Sequence, residues 1–207
     1  MHAHLESLQP VMDLDVERQL RHRMAMTSPT DTAHGMFFSG VLETVRTLGG
    51  SEAADRCQEV SERRRFIASL PYPVAGLLRM MLVAVKELGP RAGGGSAVLR
   101  RMGRQAAHDF LRAPAGRTML VLSEGSPRRL LQQLPSSYRA TVSYGERRMI
   151  AFPPGNTGRF VTQGDFMPPA YTKGLLQGVL EEGGARNVSV MGSAVGLLDS
   201  EYELAWD

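Results

Sequence analysis

Cysteine is nearly absent from this chain: in 207 residues there is one, Cys57. A single thiol excludes an internal disulfide framework and fits a reducing cytoplasm. Lysine is almost as scarce, with two among the 24 basic residues, so arginine carries the positive charge. No apolar run reaches the ~18 residues that a membrane-spanning helix needs. The opening stretch MHAHLESLQPVMDLD lacks the basic and apolar regions of a secretory signal. The expectation is a cytoplasmic protein without a transmembrane segment. Catalytic signatures are missing too. There is no Walker A loop, CxxC, HExxH or GxSxG. The glycines of GGARNVSVMG follow a helix and precede a strand, the wrong order for a phosphate cradle. His2, His4, His22, His34 and His108 are scattered along the chain. No metal site, cofactor or catalytic constellation is therefore expected, and the chain reads as a non-enzyme.

Hydrophobic residues make up 43% of the chain and charged ones 22%, the balance of one globular core rather than a disordered segment. The net charge of +3 conceals an asymmetry. From Arg63 to Arg148 there are 16 basic residues against 4 acidic, and the remainder has 8 against 17. A basic middle of this kind can bind nucleic acid, anionic lipid or an acidic partner. Its arginines recur at helical spacing rather than in a tail, which favours neutralisation by the acidic ends of the same fold.

Periodicity separates the chain into a helical part and a stranded part. Residues 1–31 form an N-terminal segment, partly flexible, in which Leu14 to Met26 fits either a helix or a short strand. From 32 to 207 a single α+β domain is expected. Val41, Leu42, Val45 and Leu48 make a helical stripe ended by Gly49-Gly50, and Ser51 caps the next helix. Pro71 and Pro73 open a helix through Gly89 that is apolar on nearly all sides, the central buried helix. Ser96, Pro114 and Ser126-Pro127 start three more, the last stopped before Pro135. Strands then follow. YRATVSY alternates, Gly145-Glu146 turns the chain, and RRMIAF and RFVTQ continue it. Pro168-Pro169 opens a helix carrying Leu175, Leu176, Val179 and Leu180 on one face, stopped by Gly183-Gly184. Val188 and Val190, then Tyr202, Leu204 and Trp206, alternate in two last strands. The sum is an N-terminal helical set packed on an antiparallel sheet, with a helix crossing it before the last two strands.

Candidate ligand-binding residues are few. Met80 and Met81 on the central helix either line a cavity or fill the core. Arg104 and His108, four apart, share a helix face, fit either to grip an anionic head group or to bind a carboxylate of the fold. Tyr138 and Tyr144 share one side of the expected first strand, as core or pocket lining. Asp165 is placed to cap the crossing helix.

HGMFFSGVLETVRTLGG, YPVAGLLRMM, LRRMGRQAAHDFL, SPRRLLQQLPSSYRATVSYGERRM, GDFMPPAYTKGLLQGVLEEGGARNVSV and LDSEYELAW together resemble the myxobacterial domain of unknown function. That resemblance runs from about Thr32 to Trp206 and brings no biochemical activity with it. More distantly, the order of elements is similar to the group of haem–nitric-oxide-binding, 4-vinyl-reductase and TRAPP-subunit domains. GMFFSGVLETVRTLGG resembles its opening helix, MGRQAAHDF its glycine-containing middle helix, and KGLLQGVLEEGG its crossing helix. Haem-binding members carry a proximal histidine on the helix after the middle one, then a Tyr-x-Ser-x-Arg element holding the propionates. Here no histidine lies between Leu111 and Ser137, and Tyr138 to Tyr144 does not reproduce that element. His108 lies one helix too early. The resemblance thus implies a sensory or adaptor domain without haem, binding a small apolar or amphiphilic ligand or a protein partner. The alternatives are a structural homodimeric module without a ligand and, less favoured, a nucleic-acid-binding protein.

Overall fold

The computed structural model describes residues 9–61, 63–152 and 155–207, with side chains described from residue 16 onward. Helix α1 spans Gln9–Ala25, strand β1 Thr32–His34, and α2 Gly35–Glu59. Strand β2 covers Pro71–Pro73, followed by α3 (Val74–Ala92), α4 (Gly95–Arg112), α5 (Pro114–Ser123) and α6 (Pro127–Thr141). The second half continues with β3 (Glu146–Ala151), β4 (Thr157–Gln163), α7 (Pro169–Glu182), β5 (Ser189–Ala194) and β6 (Ser200–Ala205). The fold is α+β, as the periodicity implies. Among the described residues no helix is long and apolar enough to cross a membrane.

The second half forms one antiparallel sheet of order β3-β4-β6-β5. Met149 pairs with Phe160, and Phe160 with Tyr202, so these side chains share the inner face. Helix α7 crosses that face with Tyr171, Leu175, Leu176, Val179 and Leu180 buried. The outer face carries Ile150, Arg159, Glu203 and Met191 in one row across the four strands.

Helix α3 is central, with Leu77, Leu78, Met80 and Met81 fully buried. Its first turn lies three residues later than expected. Pro71 and Pro73 instead flank Tyr72 in β2, which pairs antiparallel with β1 in a two-stranded ribbon. The extended backbone that proline favours serves a short strand as well as a helix entrance. Helix α2 bends at Gly50, whose φ of 82° and ψ of −178° break the helical run where Gly49-Gly50 was expected to end it.

Two expectations need correction here. Tyr138 lies on α6, not on a strand, because that helix runs through Pro135 to Thr141. Leu130, Leu131, Leu134 and Tyr138 form its buried face, and the helical period overrides the short alternation that follows. Ser96 is not a cap; Gly94 occupies that place and α4 starts at Gly95. Helix α1 buries Val16 and Leu20 in the core, together with the side chain of Arg23. Of the partly flexible segment expected over residues 1–31, residues 1–8 fall outside the described residues.

Candidate functional site

The five candidate residues do not converge on one site. Met80 and Met81 are core: both are fully buried, and the Met80 carbonyl accepts a hydrogen bond from the Cys57 thiol at 3.4 Å. Neither lines a cavity among those described. Burial pushes the Cys57 thiol up to about 12, so it is not a nucleophile at neutral pH. No group of three or more histidine, cysteine and acidic side chains placed to hold a metal occurs among the described residues.

Arg104 and His108 do share a face of α4, and that face is occupied by the protein's own carboxylates. Arg104 pairs with Glu181 of α7, and His108 Nδ1 lies 2.9 Å from Glu182 Oε1. Glycine makes this possible. A Cβ on Gly178 would stand 2.9 Å from the Ala107 Cβ and 3.3 Å from the Arg104 Cα, so its absence lets α7 close on α4. The pair joins two helices at the surface.

Tyr138 lies in the interior, where α6 meets α4 and α7. It borders a cavity of about 20 Å³ with Phe37, Phe110, Leu134, Leu175 and Val179. Burial raises the Tyr138 phenol well above its ordinary value, so it stays protonated. Its hydroxyl has no hydrogen-bond partner among the described residues.

Behind Tyr138 is a charged pair that the sequence did not reveal. Arg147 Nη2 of β3 is 2.9 Å from Asp165 Oδ1, and their side chains are only 2% and 3% exposed. The Arg147 guanidinium lies over the rings of Tyr138 and Tyr144, at 4.5 and 5.2 Å. Burial pulls its pKa down, but Asp165 and the two tyrosines outweigh this, so the cation is held charged. Asp165 also accepts from the Met167 backbone N–H at 3.0 Å. It is therefore not the expected cap of α7, whose N-cap is Pro168. Arg23 of α1 closes the cluster, donating to the carbonyls of Asp165 at 2.6 Å and Met167 at 3.2 Å. Arg147 lies 18 residues from Asp165, and Arg23 lies 142 and 144 residues from Asp165 and Met167, so only the tertiary fold brings them together.

This arrangement of helices over a four-stranded sheet is the H-NOX architecture. An H-NOX protein from K. algicida, in the Fe(II) unliganded state, matches with a TM-score of 0.65 at 11% identity, covering 84% of this chain and 96% of that one. One from S. oneidensis, in the Fe(II)NO ligation state, matches with a TM-score of 0.65 at 12% identity over 84% of this chain and 99% of the other. An oxygen-binding H-NOX domain related to soluble guanylate cyclases gives 0.61 at 15% identity, over 84% and 94%. Identities this low establish a shared fold. The chain itself belongs to the family described as protein of unknown function (DUF2378), which matches residues 26–207. No curated protein matches it.

Proposed function

We propose that the chain is a non-enzymatic sensory or adaptor domain that uses the H-NOX fold without haem. One observation carries this reading: the interior between α4, α6 and α7 is filled. Its cavity of about 20 Å³ compares with ~300–1,000 Å³ for small-molecule and cofactor sites. The side chains around it do not fit haem. They include no histidine, methionine or cysteine, and the one phenol, Tyr138, is held protonated rather than as a ligating phenolate. The one buried arginine beside it, Arg147, is already taken by Asp165. Signalling through such a domain relies on contacts at its surface, with a protein partner or a small ligand bound outside the core.

The test is purification after expression with haem supplied, read by absorption and by native mass spectrometry. A protein free of a Soret band, at the mass of the chain, is the expected result. A stoichiometric Soret band lost in His108→Ala would overturn the reading and make His108 the axial ligand. A second reading, a structural homodimer without ligand, is favoured by Val121 and Leu122 of α5, which are 75% and 62% exposed. The same native spectrum decides it by subunit number.

A further inference from the structure

We infer that the groove between the first half of α2, the arginine loop before β2 and the end of α4 binds an amphiphilic anion, a small molecule with one anionic head and an apolar body. The groove measures about 670 Å³, within the ~300–1,000 Å³ of small-molecule sites. Met36, Leu42 and Phe66 supply apolar surface, and Arg46, Arg64, Arg65 and Arg112 supply charge. The inference does not depend on whether the core takes haem.

Of the four arginines, only Arg46 is held by an acid at ion-pair distance among the described residues. Two acids also line the groove, Glu43 and Asp109. Glu43 is taken by Arg46 at 2.8 Å. Asp109 accepts from the Gln105 amide at 2.8 Å; burial raises its pKa, opposed by that hydrogen bond and by the charge of nearby Arg112. Arg64, Arg65 and Arg112 form no ion pair among the described residues. Arg64, Arg65 and Arg112 beside apolar surface match a carboxylate, sulfate or phosphate head, which each can engage through two parallel N–H bonds.

The loop is also fixed in place by the protein. The Gln58 side-chain amide donates to the carbonyls of Arg63 at 3.2 Å and Arg64 at 2.5 Å. The Met36 N–H donates to the Ala68 carbonyl at 3.1 Å, and the Ile67 N–H to the Tyr72 hydroxyl at 2.9 Å. A site ordered in advance loses less freedom on binding. A polyphosphate chain fits less well than a single head. Asp55 and Glu59 line the adjoining hollow with Arg63 and Arg64 and would repel an extended polyanion.

The experiment is calorimetric titration of the full chain with decanoate below its micellar range. Decanol serves as the body without charge, inorganic phosphate as a head without a body, and a single-stranded oligonucleotide as the polyanion. Decanoate should bind at one site about tenfold or more tightly than any of the other three. Arg64→Gln/Arg65→Gln and, separately, Met36→Glu should each weaken it about tenfold. Because both arginines are exposed, the double variant should melt within about 2 °C of the parent. Arg117→Gln, outside the groove, should leave binding unchanged. The inference fails if decanoate does not saturate, if both groove variants bind like the parent, or if phosphate, decanol or the oligonucleotide binds as tightly.

Discussion

Gly174 of α7 lies against Arg100 of α4 so closely that a Cβ on the glycine would stand 2.0 Å from the Arg100 carbonyl oxygen. The contact is reciprocal: a Cβ on Gly103 of α4 would stand 2.0 Å from the carbonyl of Tyr171 on α7. Two helices that cross backbone to backbone leave no room for any side chain at these points.

Gly174→Ala should therefore force the helices apart and cost about 1–3 kcal/mol or more. Gly76 on α3 is the contrast, since its nearest neighbour, the Phe38 ring, would lie at an ordinary 3.5 Å from a Cβ. Gly76→Ala should be neutral or stabilise by up to about 1 kcal/mol through helix propensity. Urea midpoints of the two variants check this; a Gly174→Ala protein as stable as the parent would remove the close crossing as an explanation.

These glycines also explain how much was legible in the sequence. Gly103, Gly174 and Gly178 sit inside strongly helical patterns, where glycine is disfavoured unless something approaches closely. Helix α7 and strand β6 could be read directly because their start, stop and period agree. Tyr138 to Tyr144 misled because Tyr138, Ala140, Val142 and Tyr144 alternate like a strand, and Pro135 looks like a stop. The structure puts Pro135 inside α6, which continues to Thr141. Val142 then makes an isolated bridge to Ala33, so the extended character begins four residues later than the pattern suggests. The candidate site was less legible than the fold. Arg104 and His108 were correctly placed on one face, but their partners Glu181 and Glu182 belong to another helix. The Arg147–Asp165 pair joins two separate elements, and no local pattern marks it. The arginines of the groove were visible as a basic run, and the apolar floor beneath them was not.

Asp165→Ala should be severely destabilising, by about 3–5 kcal/mol, because it leaves Arg147 charged and buried without its partner. Replacing both residues together, as Arg147→Met/Asp165→Leu, should cost less than the single change, since no orphaned charge remains. Tyr138→Phe should stay within about 1 kcal/mol of the parent, because the hydroxyl it removes has no hydrogen-bond partner among the described residues. Denaturant melts of the four proteins check the order. A double variant worse than Asp165→Ala would mean that the pair stabilises the fold by more than its mutual neutralisation.

The last prediction concerns Trp206, which shares the inner face of the sheet with Tyr202 and Leu204. All three are buried, Trp206 at 5% exposure. The backbone around it is tied down, with the Trp206 N–H donating to the Asn156 carbonyl at 3.1 Å and Arg186 and Asp207 exchanging two bonds of 2.8 Å. A large aromatic held in this way belongs to the core. Trp206→Ala should then cost about 3–5 kcal/mol, as buried aromatic truncations do. Glu203 lies on the opposite face, 65% exposed and 3.6 Å from Arg159. Glu203→Ala should cost under about 0.5 kcal/mol, because an exposed ion pair is largely screened by solvent. Running both melts at two protein concentrations separates core from interface. A loss in Trp206→Ala that is the same at both concentrations is intramolecular packing. A loss that shrinks as the protein is diluted would move Trp206 from the core to a contact between subunits.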